Sequence, residues 1–152
     1  MRTGDRVPDF ELLDQTGTPR TLGELLANGP VVLFFSPAAM TYGCTKESCH
    51  FRDLAAEFEA VGAQRVGISA DPVDKQAEFA DAHAFDYPLL SDPDRAVAEI
   101  FGVKRGISLL KVKRSTFVID TDRTLLAVIS SEINMNGHAD KALQVLREHA
   151  GA

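Results

Sequence analysis

Apolar residues are spaced in two different ways along this chain, and the two spacings alternate. Two short runs, "VVLFF" at residues 31–35 and "RVGIS" at residues 65–69, are rich in β-branched or aromatic residues, which is typical of buried strands. Between them the apolar residues recur at helical spacing, at Phe51, Leu54, Ala55, Phe58 and Val61. This alternation of strand and helix predicts an α/β fold.

The second half of the chain continues the helical pattern. Apolar residues with helical spacing occur in residues 71–84, 94–102 and 138–150. Asp71, which precedes Pro72, and Asp94, which precedes an Ala/Val/Ile stripe, are typical start signals for two of these helices.

Two further strands are predicted close together near the C-terminal end. They are "STFVID" at residues 115–120 and "LLAVIS" at residues 125–130, and "TDR" at residues 121–123 lies between them. A connection of this length is typical of a hairpin, so we expect the two strands to be antiparallel. Together with the alternating first half, the hairpin predicts a mixed β-sheet with helices on both faces.

Length and charge exclude several classes of protein. The chain has 152 residues, 45% of them apolar and 25% charged, and we expect a single domain over residues 1–152. The net charge of −6 argues against a nucleic-acid or anionic-membrane partner, which positive surface would hold. The longest apolar run is too short to cross a bilayer, and "MRTGDRVPDF" at the start lacks the apolar core of a secretion signal. We therefore expect a cytoplasmic protein.

The chain has two cysteines, and they lie five positions apart at the predicted start of a helix. On a helical wheel Cys44 lies about 20° from Phe51 and so faces the packed side, whereas Cys49 is rotated about 140° away from Cys44. The Cα atoms of residues i and i+5 are about 8.5 Å apart in a helix, more than the ~7 Å that an unstrained disulfide tolerates. A bridge between them is therefore possible only if the first turns of the helix unwind.

The position of Cys44 also predicts its reactivity. A helix that begins near residues 41–43 places Cys44 in the first turn, among unpaired backbone N–H groups that favour an anion. Its thiol should therefore ionise more readily than that of a free cysteine, and a thiolate is a nucleophile. The alternative, that Cys44 is a small buried apolar residue, stays open at this point. A close pair of cysteines in a reducing compartment indicates redox or metal chemistry rather than a structural disulfide.

The segment around the cysteines resembles the peroxiredoxins. "PAAMTYGC" has the spacing P-x3-T-x2-C of this family, and "CTKESCHFRD" is similar to the bacterioferritin comigratory protein, or PrxQ, subgroup. The resemblance extends over nearly the whole chain, through "GDRVPDFELLDQTG", "ISADPVDKQAEFADAH", "YPLLSDPDRAVAEIFGV" and "KRSTFVIDTD". It implies a thioredoxin-like fold and a thiol peroxidase that reduces hydrogen peroxide and organic hydroperoxides without a metal or organic cofactor.

The resemblance implies roles for three residues of the peroxide reaction. Cys44 matches the peroxidatic cysteine, which attacks one peroxide oxygen and becomes a sulfenic acid. Thr41 matches the hydroxyl that hydrogen-bonds the thiolate and the peroxide, although it could also be a helix N-cap. Arg114, just before "STFVID", matches the guanidinium that holds the sulfur and the peroxide oxygens, and a surface salt bridge is its alternative.

Three further residues have supporting or resolving roles by the same resemblance. Glu47 matches a glutamate that orients an arginine, which requires a guanidinium between this carboxylate and the thiolate; otherwise Glu47 is a solvated helix residue. Pro37 is expected to shield the pocket, although any turn proline looks the same. Cys49 matches the resolving cysteine, which forms the Cys44–Cys49 disulfide that thioredoxin or a similar dithiol donor reduces.

The sequence departs from the family pattern at three positions. Tyr42 stands where proline is common, and Ser36 stands where an aromatic residue is frequent. Both border the expected pocket, so they leave peroxide access and preference open. Ser115 occupies the place of the cis-proline of thioredoxins, which separates the chain from the thiol–disulfide exchange branch of the fold.

Two other functions stay open on the sequence. A thioredoxin-like thiol–disulfide oxidoreductase would share the fold, but its cysteines normally have two intervening residues rather than four. A metal-binding protein would need about four ligands for zinc. Cys44, Cys49 and His50 supply three at most, because the remaining histidines lie apart on helices that look like surface helices: His83, His138 and His149. The sequence is compatible with either a monomer or a weak homodimer.

Overall fold

The elements of the fold follow one another in an order close to the predicted one. The computed structural model describes residues 1–39, 41–104, 112–131 and 134–150, with Ala150 described by its backbone alone. Within these ranges the elements are β1 (Glu11–Leu13), β2 (Pro19–Thr21), α1 (Leu22–Leu26), β3 (Val31–Phe35), α2 (Tyr42–Asp53), α3 (Ala55–Ala60), β4 (Gln64–Ser69), α4 (Val73–His83), β5 (Leu89–Ser91), α5 (Ala96–Ile100), β6 (Ser115–Ile119), β7 (Leu125–Ser130) and α6 (Met135–Ala150).

The strands form one mixed sheet, as the sequence predicts. The strand order over the described residues is β2-β1-β5-β4-β3-β6-β7. β3 and β5 both pair with β4 in parallel, whereas β6 pairs with β3 and with β7 in antiparallel fashion. The predicted α/β class, the mixed sheet and the antiparallel β6–β7 pair are therefore confirmed.

Helices cover both faces of this sheet because successive side chains of a buried strand point in opposite directions. In β3, Leu33 and Phe35 join one apolar cluster, which α1 and α5 complete through Leu25 and Val97. Phe34 joins a second cluster on the other face. The helical residues of this second cluster come from α2, α3, α4 and α6: Phe51, Phe58, Phe79, Ala80, Ala139, Ala142, Leu143 and Leu146. The prediction of helices on both faces is confirmed.

Four short elements were not predicted. β1, β2 and β5 each have three residues, too few to establish a period, and α1 has five. The single helical pattern after Cys44 divides into α2 and α3 at Leu54, whose backbone angles (φ −95°, ψ 21°) are not helical.

The two acidic start signals work differently from the prediction. α4 begins at Val73 with Pro72 as its N-cap, and the carboxylate of Asp71 accepts hydrogen bonds from elsewhere, so Asp71 is not the cap. Asp94 accepts a hydrogen bond from the Ala96 N–H, at 3.2 Å. α5 gains a further anchor that the sequence did not indicate, because the buried Asp92 carboxylate accepts from the next two backbone N–H groups, those of Val97 and Ala98.

Each of the two outer strands of the sheet begins with a residue that cannot offer a free backbone N–H to a further strand. β2 begins with Pro19, which has no backbone N–H. At β7 the N-terminal segment pairs with the start of the strand. The Gly4 N–H donates to the Leu125 carbonyl at 2.8 Å, and the Leu125 N–H donates to the Asp5 carbonyl at 2.9 Å.

The helices of the described ranges are modest in length. α6, with 16 residues, is longer than the 12-residue α2. In the part of the chain that the structure describes, no helix combines the length and the apolar character needed to cross a bilayer.

Candidate active site

Cys44 lies in the first turn of α2, as the sequence predicts. The loop that follows β3 ends at Thr41, whose extended backbone (φ −86°, ψ 158°) makes it the N-cap, and the Thr45 N–H donates to the Thr41 carbonyl at 2.8 Å. Cys44 is 0% exposed, whereas Tyr42, two residues earlier, is 84% exposed. The nucleophile candidate therefore faces the protein interior from a helix start that itself lies at the surface.

Arg114 reaches Cys44 from the strand beside β3. In the antiparallel β3–β6 pair, Phe35 is the register partner of Ser115. Arg114 precedes Ser115, so it lies beside the loop that leads from β3 to α2. Its side chain is buried, and Nη2 donates to the Cys44 Sγ at 3.3 Å. The structure thus brings together a sulfur and a cation that are 70 residues apart in the chain.

Glu47 lies one helical turn after Cys44 and contacts the same guanidinium. The Arg114 Nη1 donates to the Glu47 Oε1 at 3.2 Å, and the Ser36 Oγ donates to the same oxygen at 3.2 Å. Glu47 is fully buried. Arg114 therefore stands between the carboxylate and the sulfur, the arrangement in which a glutamate does not oppose a neighbouring thiolate.

His138 extends this buried network, and the prediction that it lies on a surface-like helix was wrong. It is 0% exposed on α6, and its Nε2 lies 2.8 Å from the Ser131 carbonyl and 3.6 Å from the Glu47 Oε2. Because a carbonyl only accepts, Nε2 carries a hydrogen; in the neutral ring Nδ1 then accepts from the Thr116 hydroxyl at 2.8 Å. His138, Ala142 and Leu146 follow one another at intervals of four residues and so lie on one buried face of α6. This spacing in the sequence indicated that His138 is buried.

Cys49 lies on a different face of α2 from Cys44, and both are free thiols. Cys49 is half-buried. Burial raises the pKa of its thiol, Arg52 acts in the opposite direction by favouring the thiolate, and the Asp53 carboxylate adds to the increase. Cys49 is therefore held mainly as the thiol while the helix is intact.

The loop before α2 is fixed by contacts that the sequence did not indicate. The Thr41 hydroxyl donates to the Ala38 carbonyl at 2.9 Å; this exposed side chain neither caps the helix nor, among the described hydrogen bonds, contacts the Cys44 sulfur. The Ala39 N–H donates to the Asp71 Oδ2 at 2.7 Å. Pro37 is buried within the loop. An anchoring aspartate in the β4–α4 connection was not predicted.

Gly43 allows the guanidinium to approach the helix closely. A Cβ atom at this position would lie 3.1 Å from the Arg114 Nη2 and 2.9 Å from the Met135 Cε. A larger residue would therefore have to displace the flexible end of Met135, and it would press on the Arg114 guanidinium at a tight but tolerable distance.

Among the residues that the structure describes, potential metal ligands do not gather around the cysteines. Across residues 1–39, 41–104, 112–131 and 134–150, no three His, Cys, Asp or Glu side chains are grouped so that they could hold a metal ion. His50 instead pairs with Asp140 of α6, with 2.8 Å between Nε2 and Oδ1.

Comparison with known proteins identifies the family. The AhpC/TSA family model matches residues 3–128. Peroxidoxin BcpB from Mycobacterium tuberculosis has a crystal structure that superposes with a TM-score of 0.94, at 69% identity over 97% of each chain. Peroxiredoxin Bcp of Escherichia coli strain K12 is 35% identical over 99% of this chain and 98% of its own length. The bacterioferritin comigratory protein of Xanthomonas campestris is 32% identical, with a TM-score of 0.85 over 93% of this chain and 92% of its own.

The fold and these relatives define a thiol-dependent peroxidase: the chain belongs to the AhpC/TSA family of peroxiredoxins. Within that family it is a member of the bacterioferritin comigratory protein and peroxiredoxin Q subgroup. The predicted family, fold and enzyme class are confirmed, and the rival assignments as a disulfide reductase or a metal-binding protein give way to an oxidoreductase that reduces peroxides at the expense of a thiol.

Proposed function

We propose that Cys44 is the nucleophile of this peroxidase. The observation that carries the proposal is the 3.3 Å hydrogen bond from the Arg114 Nη2 to the Cys44 Sγ, made inside the protein by a permanently charged side chain. A guanidinium at this distance stabilises a thiolate, and its further N–H groups suit the oxygen that leaves with negative charge. Glu47 holds the other guanidinium nitrogen and so fixes its orientation.

The reduction of the peroxide by Cys44 needs no cofactor, because the sulfur itself supplies the two electrons. The Cys44 thiolate attacks one oxygen of ROOH, the O–O bond breaks, and the sulfur becomes a sulfenic acid while the other oxygen takes up a proton and leaves as ROH or water. Thr41 serves as an acceptor in this step. Its hydroxyl hydrogen is given to the Ala38 carbonyl, so its oxygen lone pairs are available to the O–H of the peroxide. Pro37 contributes a buried loop position that has no N–H.

Cys49 resolves the sulfenic acid. Its thiolate attacks the Cys44 sulfur, a Cys44–Cys49 disulfide forms, and the sulfenic oxygen leaves as water. Because the helical separation of about 8.5 Å exceeds disulfide reach, the first turns of α2 unwind before this step. Thioredoxin or a related dithiol donor then reduces the disulfide, and the enzyme works in the cytoplasm, where such donors keep thiols reduced.

Hydrogen peroxide and alkyl hydroperoxides are the proposed substrates. The work on the relative from Xanthomonas campestris describes alkyl peroxide reduction by that protein, which is 32% identical to this chain. The described arrangement supports the same chemistry here, because the guanidinium and the sulfur act on the O–O bond that both classes of peroxide share.

The experiment follows the oxidation of the reduced protein by stopped flow, with hydrogen peroxide and cumene hydroperoxide in separate runs. We expect both to oxidise the wild type in a second-order reaction, and we expect Cys44→Ser to consume neither. Cys49→Ser is the matched thiol control, which should retain the first oxidation and lose the internal disulfide in a mass spectrum. Peroxide consumption by Cys44→Ser at the wild-type rate would refute the assignment.

The recycling step is tested separately with the disulfide form of the wild type. We expect thioredoxin with its reductase and NADPH to restore both thiols, as measured by NADPH consumption that depends on peroxide. A disulfide that thioredoxin leaves intact would remove this reductant from the proposal and leave the peroxide step standing.

A further inference from the structure

The two halves of α2 are attached to the rest of the protein in different ways. In the first half the contacts are made by side chains, since Arg114 binds the sulfur of Cys44 and the carboxylate of Glu47. In the second half, contacts to backbone carbonyls are added to the side-chain pair of His50 and Asp140. The Tyr87 hydroxyl donates to the Ser48 carbonyl at 2.6 Å, and the Arg65 Nη1 donates to the Phe51 carbonyl at 2.9 Å.

Tyr87 is itself held rigidly. It is 4% exposed, its ring packs edge-on against Phe34 at 5.6 Å between centroids, and it stacks with Phe85 at 5.3 Å. The guanidinium carbon of Arg65 lies 5.1 Å from the centre of the same ring. Burial raises the pKa of Tyr87 well above its ordinary value, so the phenol keeps its hydrogen and stays a donor.

The carbonyl that Tyr87 binds has a particular place between the two cysteines. It belongs to the peptide group that joins Ser48 to Cys49, so the phenol fixes the backbone on which Cys49 is carried. In an α-helix the same carbonyl also accepts from the N–H of Arg52. The backbone from Ser48 onwards thus has an external anchor, and Phe51 adds to it by stacking on Phe34 at 4.0 Å.

We propose that Tyr87 is a positioning residue that stops the unwinding of α2 at Ser48, so that Cys44 moves to a Cys49 that stays in place. This inference rests on the proposed function, because it concerns the step in which the Cys44 sulfenic acid meets the Cys49 thiol. The turn around Cys44 is the part that moves, since Cys44 contacts Arg114 through its sulfur alone, and this contact loses the thiolate charge when the sulfur is oxidised. A Cys49 nucleophile that stays in place keeps the effective concentration of the second thiol high.

The variant Tyr87→Phe tests this role, because it removes the hydroxyl and keeps the ring. We expect the second-order oxidation of Cys44 to be unchanged, and disulfide formation to slow by about two- to tenfold, the factor that one net hydrogen bond supplies. A slower resolution leaves the sulfenic acid exposed to a second peroxide, so the fraction of sulfinic acid at high peroxide should increase. Sequential-mixing stopped flow and mass spectrometry measure these quantities.

Amide hydrogen exchange adds a readout that a general loss of stability would not reproduce. In the disulfide form of the wild type we expect the Arg52 amide to stay protected, and in Tyr87→Phe we expect it to exchange rapidly. The control is Leu146→Val, which removes one methylene from the same apolar cluster and contacts no carbonyl of α2 in the described hydrogen bonds. It should lower the unfolding midpoint without altering the rate of disulfide formation.

Disulfide formation in Tyr87→Phe that is as fast as in the wild type, or faster, would overturn the inference, because the phenol would then be irrelevant or would itself have to be released. A protected Arg52 amide in the oxidised variant would overturn it as well. A failure of the proposed function would give a different result: the wild type itself would form no Cys44–Cys49 disulfide.

Discussion

The Nε2 atom of His138 lies 3.6 Å from the Oε2 atom of Glu47, and both side chains are fully buried. The two carboxylate oxygens are thus approached from different elements, with Arg114 on Oε1 and His138 on Oε2. This joins α6 to the nucleophile candidate through one carboxylate and one guanidinium. The hydrogen bonds from Arg114 and Ser36 to Oε1 orient the Glu47 carboxylate, and His138 packs beside Oε2.

Replacing His138 with alanine should therefore affect both stability and reaction. We expect the free energy of unfolding to fall by about 2 kcal/mol, because Thr116 and the Ser131 carbonyl lose a buried hydrogen-bond partner. We expect the rate of Cys44 oxidation to fall several-fold, because Glu47 loses one of its neighbours. Urea denaturation and stopped flow measure the two effects.

His149→Ala is the matched control on the same helix. This exposed histidine pairs with Asp120 at 3.1 Å, so its loss should cost under about 1 kcal/mol and leave the oxidation rate unchanged. Equal effects of the two substitutions would show that the buried position has no special role.

Arg114→Lys should slow the oxidation of Cys44 although the charge is kept. The arginine contacts Cys44 and Glu47 through two separate nitrogens, whereas a lysine has one ammonium for both partners. We expect a rate reduced by a factor of about 10 to 100, and by a factor of about 10 to 1,000 in Arg114→Met, measured in single-turnover stopped flow. Arg147→Lys, at an exposed position of α6, is the control, and a lysine variant as fast as this control would contradict the two-contact argument.

Glu47→Gln should destabilise the protein and also slow the reaction. The change keeps the shape but leaves the buried Arg114 charge without its carboxylate, and loss of one partner of a buried ion pair costs about 3 to 5 kcal/mol. Denaturant unfolding measures the cost. Glu78→Gln on α4 is the exposed counterpart and should change stability by less than about 0.5 kcal/mol. If both variants unfold at the wild-type midpoint, the Glu47–Arg114 pair does not stabilise the fold.

Gly43→Ala should displace Met135 and press on the Arg114 guanidinium. The added Cβ would lie 3.1 Å from the Arg114 Nη2 and 2.9 Å from the Met135 Cε, so one of these groups must move. We expect oxidation of Cys44 to slow about tenfold, measured by stopped flow, while the helix itself gains from the better propensity of alanine. The control is Gly23→Ala in α1, where the nearest atom would be an ordinary 3.6 Å away. Full activity in Gly43→Ala would mean that the site has room to spare.

Disulfide formation should accelerate as pH rises. Burial holds the pKa of Cys49 above its ordinary value in the intact helix, so the folded helix is favoured while the thiol is protonated, and this contribution is lost as pH rises through the folded pKa. Higher pH therefore supplies the attacking thiolate of Cys49. We expect the rate of disulfide formation to increase by up to about tenfold per pH unit between pH 7 and 9, measured by sequential mixing.

Asp53→Asn provides the internal comparison for this pH dependence. The Asp53 carboxylate adds to the increase in the pKa of Cys49, so its removal should move the profile to lower pH. A flat profile in the wild type would indicate that ionisation of Cys49 does not limit the step.

The alternating pattern of the sequence was sufficient for the layout of the sheet, because its central strands are buried on both faces and read as continuous apolar runs. It was not sufficient for β1, β2 and β5, which are too short to have a period. The placement of Cys44 followed from local signals at the helix start. The contact between Cys44 and Arg114, 70 residues apart, was predicted from the family resemblance alone. It depends on the register between β3 and β6, which local sequence patterns do not determine.

His138 and Asp71 show why other parts of the site escaped prediction. A histidine in a helix is usually taken for a surface residue. The apolar residues four and eight positions later show that His138 lies on the buried face. Asp71 looked like a helix cap, yet its carboxylate accepts from the Ala39 N–H in a loop 32 residues away. The roles of the six site residues stay predictions, as does the single domain over residues 1–152; these residues are Cys44, Cys49, Thr41, Arg114, Pro37 and Glu47.

The proline at the start of β2 and the N-terminal segment along β7 bear on how copies of this protein could associate. A second copy that added its own strand would find at one end a position that cannot donate, and at the other a strand whose first carbonyl and N–H are already engaged. Growth of a continuous sheet from one molecule to the next is thus opposed on both sides. A homodimer that formed by strand addition would therefore have to leave the first residue of each outer strand unpaired.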